Sequence, residues 1–181
     1  MLIVNNFCYL YGSKTDCKIT IFSRRMQLNL PEHTFKIKQT SNGMVIFDVL
    51  RARYVALTPE EWVRQNFVAF LIHHKGFKPA LMANEMTLEL NGNRRRCDTL
   101  VADRQGSPLV IVEYKAPSVP ITQKVFDQIV RYNIVLRASY LIVSNGLQHY
   151  CCSIDYANNS YAFLKDIPNY DEICPNPEVH N

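Results

Sequence analysis

Residues 97–117 read CDTLVADRQGSPLVIVEYKAP, and the way this stretch folds decides the rest of the chain. Arg104-Gln105-Gly106-Ser107-Pro108 carries the punctuation of a turn, so the residues on either side are extended. That predicts a strand over Arg95–Asp103 and another over Leu109–Lys115, ended by Ala116-Pro117. The unbroken apolar run LVIV marks the second strand as buried on both faces. Side chains on a strand alternate, so Glu113 and Lys115 project to one side while Val110, Val112 and Tyr114 take the other. Asp98 lies on the preceding strand, where antiparallel pairing across a short turn would bring it alongside Glu113.

Outward toward the N-terminus, Glu85–Leu90 reads as a third strand, joined to Arg95–Asp103 by Asn91-Gly92, a pair suited to the positive φ angles of a tight hairpin. Before it, Thr58-Pro59-Glu60-Glu61 has the grammar of a helix start: an N-cap, a proline at the first position and a capping-box glutamate. Val63, Phe67, Phe70 and Leu71 then repeat on one face, and Gly76 closes the helix just past His73-His74. Over Thr34–Ala56, FKIK, the turn Ser41-Asn42-Gly43 and MVIFDV predict a small strand–turn–strand addition.

Toward the C-terminus, a helix is predicted from about Thr122 to Arg137, with an apolar stripe of Val125, Ile129, Tyr132 and Leu136. A short buried strand follows at Tyr140–Ser144, then extended pieces at His149–Asp155 and Ser160–Leu164. The order helix, three strands, helix, strand predicts an α/β (α+β) domain: one sheet with helices packed on its faces.

Of the 181 residues, 48% are hydrophobic and 20% charged, an ordinary globular composition with enough apolar side chain for a core. No apolar run approaches the roughly 18 residues that span a bilayer. The net charge of +4 suits a polyanionic partner without requiring one, and Arg94-Arg95-Arg96 concentrates positive charge next to Asp98. The cysteines at 8, 17, 97, 151, 152 and 174 lack CxxC or Cys/His ligand spacing. They read as reduced thiols of a cytoplasmic protein, and His73-His74 reads as structural or solvated.

Two carboxylates and a lysine within an apolar sheet are costly unless paired or bound to a cation. Hard oxygen donors suit Mg²⁺ or Mn²⁺, which would neutralise charge on a scissile phosphate and acidify a bound water. Lys115 would orient or deprotonate that water. On spacing alone, a structural Glu–Lys pair at a strand end is the commoner reading; the strand–turn–strand context and the helix that follows bring the catalytic reading level with it.

The segment 97–117, followed by TQKVFDQIVRYN at 122–133, resembles the PD-(D/E)XK nuclease superfamily, and more closely the N-terminal domain of type I restriction enzyme R subunits. The resemblance spans about residues 30–168 and implies a restriction-endonuclease-like core, with Asp98 and Glu113 as acids and Lys115 as the lysine. It also implies a Q-x-x-x-Y pair, Gln128 and Tyr132, on one helical face, supporting the site or contacting DNA. A first-helix glutamate, Glu61 or its neighbour Glu60, would complete the metal shell. By their charge, Arg94, Arg95 and Arg96 read either as phosphate contacts or as a solvated basic strand edge. Cys97 stands where the superfamily's name has a proline. No GxxxxGK[ST] phosphate loop is present, so partners such as other restriction or defence subunits or a separate motor are implied. A membrane partner is not. Asp103 reads as a turn residue.

The expected layout is a doubtful extension over 1–25, with Met26 as a candidate start, then a β addition over 26–57, the core over 58–168 and a polar tail over 169–181. Two functions follow: a metal-dependent deoxyribonuclease, or a nucleic-acid-binding or complex-forming module that keeps the fold without the chemistry.

Overall fold

The computed structural model describes residues 2–4, 26–90 and 93–175; the side chains of 2–4, 88–90, 93–95, 127, 128, 131, 132, 134 and 135 lie outside that description. Its elements run β1 (Leu2–Val4), β2 (Phe35–Thr40), β3 (Gly43–Asp48), β4 (Arg53–Ala56), α1 (Pro59–His74), a 3₁₀ turn (Pro79–Leu81), β5 (Met82–Leu90), β6 (Asn93–Ala102), β7 (Pro108–Tyr114), α2 (Gln123–Leu136), β8 (Tyr140–Ser144), β9 (His149–Asp155), β10 (Ser160–Phe163) and α3 (Tyr170–Ile173).

The main sheet has six strands in the order β10-β9-β8-β7-β6-β5. Only β7 and β8 are parallel; α2 makes the crossover between them, as a parallel pair demands, and the other neighbours are antiparallel. Central β7 is buried from Leu109 to Tyr114, as its apolar run predicted. The alternation along it decides the layers. Val110, Val112 and Tyr114 pack with Val63, Phe67, Val68 and Leu71 of α1. Ile111 faces the other way, with Phe126 and Ile129 of α2, Leu141 and Val143. Each buried side chain of this size contributes about 1.5–3 kcal/mol, so two helices on opposite faces hold the sheet.

The N-terminal addition is larger than a hairpin. It forms a second, four-stranded antiparallel sheet, β1-β2-β3-β4, in which Leu2–Val4, from the segment expected to be a doubtful extension, pairs with Phe35–Ile37. This sheet is packed on the core. Phe35, Ile37 and Ile46 form a cluster with Trp62 and Ala69, on the side of α1 turned away from the main sheet. Helix α1 is therefore buried continuously from Glu61 to Ala69 rather than along the single stripe its periodicity predicted. Residues 26–29 strap the layers together: Trp62 Nε1 donates to the Met26 carbonyl at 3.0 Å, and the Asn29 amide donates to Gly146 O at 2.7 Å.

The predicted boundaries hold within a few residues. Thr58 caps α1, its hydroxyl accepting from the Glu61 amide at 3.1 Å. Gly76, at φ +72°, lets the Phe77 amide reach back to Leu71 O at 3.0 Å. Asn91-Gly92, outside the described residues, falls between the paired Leu90 and Asn93. Among the described residues no helix is long and apolar enough to cross a membrane, and Cys97, Cys151, Cys152 and Cys174 are free thiols. His73 and His74 are exposed, stacked on His33 and Phe70 respectively.

Candidate active site

The β6–β7 ladder runs through Val101–Val110, Leu100–Ile111 and Thr99–Val112, leaving Asp98 and Glu113 at its open end, one step past the last pair. There the Asp98 carboxylate takes over the ladder: its Oδ2 accepts from the Tyr114 amide at 2.9 Å. Lys115, just beyond the strand, turns back along the same face, and its Nζ lies 2.7 Å from Glu113 Oε1. The triad expected from strand alternation is thus assembled at one place.

Its electrostatics are those of crowded carboxylates. Burial, then the charge of Asp98, holds the Glu113 carboxyl above its usual range, against the opposing pull of Lys115. Glu60 is raised in the same way, by burial and then Asp98, with Lys115 lowering it. Lys115 itself is raised: burial works against its charge, but the hydrogen bond and charge of Glu113 outweigh that cost. Burial, then Asp98 and Glu113, pushes the neighbouring Cys97 thiol up to about 12.

The first-helix acids divide differently from the expectation. Glu61, nominated as the ligand, stands one arginine behind Asp98. Its Oε1 accepts from Arg51 Nη2 at 2.7 Å and Gln65 Nε2 at 2.8 Å, and its Oε2 accepts from Arg64 Nη1 at 2.5 Å. It does not reach back to the N-cap amide either; the Thr58 amide donates to Ala56 O instead. Glu60, one residue earlier, is the helix acid that feels Asp98 and Lys115 directly. The reason is helical: a step of 100° turns Glu61 inward between the sheets and leaves Glu60 at the rim.

Arg64 is the residue that sequence reading missed. Its guanidinium, 4% exposed, meets Glu61, Glu85 Oε1 at 2.7 Å and Asp98 Oδ1 at 2.8 Å, with Glu60 at 3.8 Å. Burial alone would lower its pKa; Asp98, Glu61 and Glu85 outweigh that and raise it. Glu85 reaches Arg64 from an interruption in β5, where it adopts φ +59° and the pairing passes from Asn84–Thr99 to Met86–Cys97. Such backbone is uncommon for a residue with a side chain. The signal that could have found Arg64 is its spacing, four residues after Glu60 and three after Glu61, at which a cation meets both carboxylates on one helical face.

Of the basic cluster, Arg96 is exposed and pairs with Glu85. Arg94 and Arg95 lie on β6, and Gln128 and Tyr132 on α2; their side chains fall outside the described residues. Asp103 is the turn residue it was expected to be, its Oδ1 accepting from the Gln105 and Ser107 amides at 2.9 and 2.8 Å.

Fold and site together define an α/β domain with an arginine-braced acidic centre at the open end of two central strands. The family model described as "Type I restriction enzyme R protein N terminus" matches residues 59–168, and the chain belongs to that family. Among solved structures, a fragment described as an HsdR subunit of a type I restriction enzyme from Vibrio vulnificus is similar at 21% identity and a TM-score of 0.48, over 65% of this chain and 24% of that one. This chain therefore spans about a quarter of that solved fragment. Among curated protein sequences none matches.

Proposed function

We propose that this domain is a divalent-metal-dependent nuclease hydrolysing DNA phosphodiester bonds, with Asp98, Glu113 and Lys115 at its centre. The observation that carries the reading is the meeting of Asp98, Glu113 and Lys115 at the end of the β6–β7 ladder, with Asp98 acting electrostatically on Glu113.

The donor set fits Mg²⁺ or Mn²⁺. Among the described residues no three of His, Cys, Asp and Glu group closely enough to hold an ion by themselves. Mg²⁺ does not need that, since it commonly takes one or two carboxylates and keeps its waters. The charge also fits. Among the described side chains, Asp48, Glu60, Glu61, Glu85, Asp98 and Glu113 are ion-paired with Arg51, Arg64, Arg96 and Lys115, an excess of two acids over bases that suits a divalent cation.

Asp98 and Glu113 would hold the ion, whose chemistry there is to withdraw charge from the scissile phosphate and acidify water. Lys115 orients the attacking water or stabilises the charge that develops on the phosphate oxygens. Arg94, Arg95 and Arg96, with Gln128 and Tyr132, are the proposed contacts to DNA.

The test is cleavage of plasmid and single-stranded DNA with Mg²⁺, Mn²⁺ or EDTA. Metal-dependent products that disappear in Lys115→Ala, while folding and metal binding persist, support the proposal. Full activity in Lys115→Ala removes the lysine from the mechanism. DNA binding without cleavage under any metal, unaffected by loss of Asp98, points instead to a module that keeps the fold without the chemistry.

A further inference from the structure

Both oxygens of Asp98 are already committed. The Tyr114 amide fixes Oδ2, so the remaining freedom, rotation of the carboxylate about that contact, is set by Arg64 at Oδ1. A guanidinium is a rigid planar fork: where one Nη is held, the other has little choice. Arg64 Nη1 is held between Glu61 and Glu85, and Glu61 in turn by Arg51. Arg51 belongs to the turn between β3 and β4, and its Nε is bound to Asp48, which is wholly buried. Asp48 also accepts from the amides of Leu50 and Arg51 at 2.8 and 3.2 Å and from Asn84 Nδ2 at 2.9 Å.

The connection then returns to its start. Thr99 Oγ1 donates to Asn84 Oδ1 at 2.6 Å, which leaves the Tyr114 hydroxyl, 3.0 Å away, as donor to Thr99. Tyr114 is also the residue whose amide holds Asp98. A closed circuit thus runs from Asp98 through Arg64, Glu61, Arg51, Asp48, Asn84, Thr99 and Tyr114 back to Asp98. It takes in both sheets and α1. Low local dielectric strengthens each link and makes a break in one felt by the next.

We infer that Arg51 is a positioning residue for Asp98, acting through Glu61 and Arg64, and that the β3–β4 turn of the small sheet is a working part of the candidate site. This rests on the reading of Asp98 as a metal ligand. Without Arg51, Glu61 keeps its full charge for Arg64 and draws the fork away from Asp98, leaving the carboxylate to rotate. The effect falls on metal affinity before it falls on turnover.

The experiment uses the full chain as wild type, Arg51→Met, Arg51→Lys, Arg64→Met, the double variant, and Lys75→Met. The last removes a cation paired with Asp166, away from the circuit. Mn²⁺ binding is measured by calorimetry and by the Mn²⁺ dependence of DNA cleavage, with folding checked by circular dichroism. Arg51→Met is expected to weaken Mn²⁺ binding about tenfold, with cleavage at saturating Mn²⁺ within about threefold of wild type. Arg51→Lys should fall between, since it restores charge but not the fork; it carries the test if Arg51→Met does not fold. Lys75→Met should match wild type, and the double variant should be no weaker than Arg64→Met, because both act on one path. Wild-type Mn²⁺ affinity in folded Arg51→Met or Arg51→Lys overturns the inference while leaving the nuclease reading intact. A wild-type protein that neither binds Mn²⁺ nor cleaves overturns that reading, and this inference with it.

Discussion

Removing Asp98 is the natural way to inactivate the proposed nuclease, and the structure gives that substitution a stability cost of its own. Asp98→Ala leaves two donors without their acceptor. The bond from Arg64 Nη2 at 2.8 Å is charge-assisted, a class that contributes about 1.5–3 kcal/mol. The Tyr114 amide loses its partner at 2.9 Å, and an unsatisfied buried donor costs about 1–3 kcal/mol. Two effects work the other way: Arg64 keeps Glu61 and Glu85, and Glu113 and Glu60 are freed from the charge that raises them. The net expectation in EDTA at neutral pH is a loss of about 2 kcal/mol. For a domain of this size that lowers Tm by roughly 4–8 °C. Asp98→Asn should be no milder, because a carboxamide offers one oxygen to two donors and turns its own NH₂ toward the other. Thermal and urea melts of the three proteins measure this. If Asp98→Ala melts at or above the wild type in EDTA, repulsion among the carboxylates outweighs the two bonds, and the argument that Asp98 organises Arg64 and Tyr114 is wrong.

Three other outcomes follow from different parts of the structure. Ile46→Ala, in the small sheet yet wholly buried against α1, should cost about 2–5 kcal/mol in a single cooperative transition; a separate early melt would mean the small sheet folds independently. His149 has Nδ1 facing Ser144 Oγ at 2.8 Å and Nε2 facing the Asn29 carbonyl at 2.9 Å, and burial, outweighing the Asn29 bond, lowers its pKa from 6.5. As pH falls through 6.5 the unfolded chain takes up the proton first, so stability present above that pH is lost below it. His149→Gln should make the decline measured by urea melts from pH 7 to 5 shallower; His33, whose pKa burial also lowers, adds to that decline, and the raised Glu60 and Glu113 oppose it in both proteins, so an unchanged slope would remove His149 as its source. Burial pushes the Cys97 and Cys151 thiols up to about 12 and Cys152 up to about 11, whereas at Cys174 desolvation, the largest single influence and an upward one, is outweighed by the combined hydrogen bonds and charge of Tyr170 and Arg104, which lower it. Iodoacetamide at pH 8 followed by peptide mass mapping should modify Cys174 well before those three, and modification of Cys97 in the native protein at a comparable rate would contradict its burial.

Much of the scaffold was legible in the sequence because it depends on local periodicity. A period of two placed Glu113 and Lys115 on one face, a buried apolar run made β7 central, and Thr58 with Gly76 framed α1. These are properties of a few consecutive residues, and the tertiary fold had only to respect them. What tertiary structure decided is everything that joins distant segments. Arg64 meets Asp98 across 34 positions and Asn84 meets Asp48 across 36, with no repeat to announce either pair. The choice between Glu60 and Glu61 depended on a second sheet covering α1, since an acid can turn inward only where buried arginines await it. The small sheet looked like an addition because its strands are short. Packing made it one wall of the helix that carries Arg64, and a guanidinium excluded from water keeps its place only where carboxylates from several segments converge.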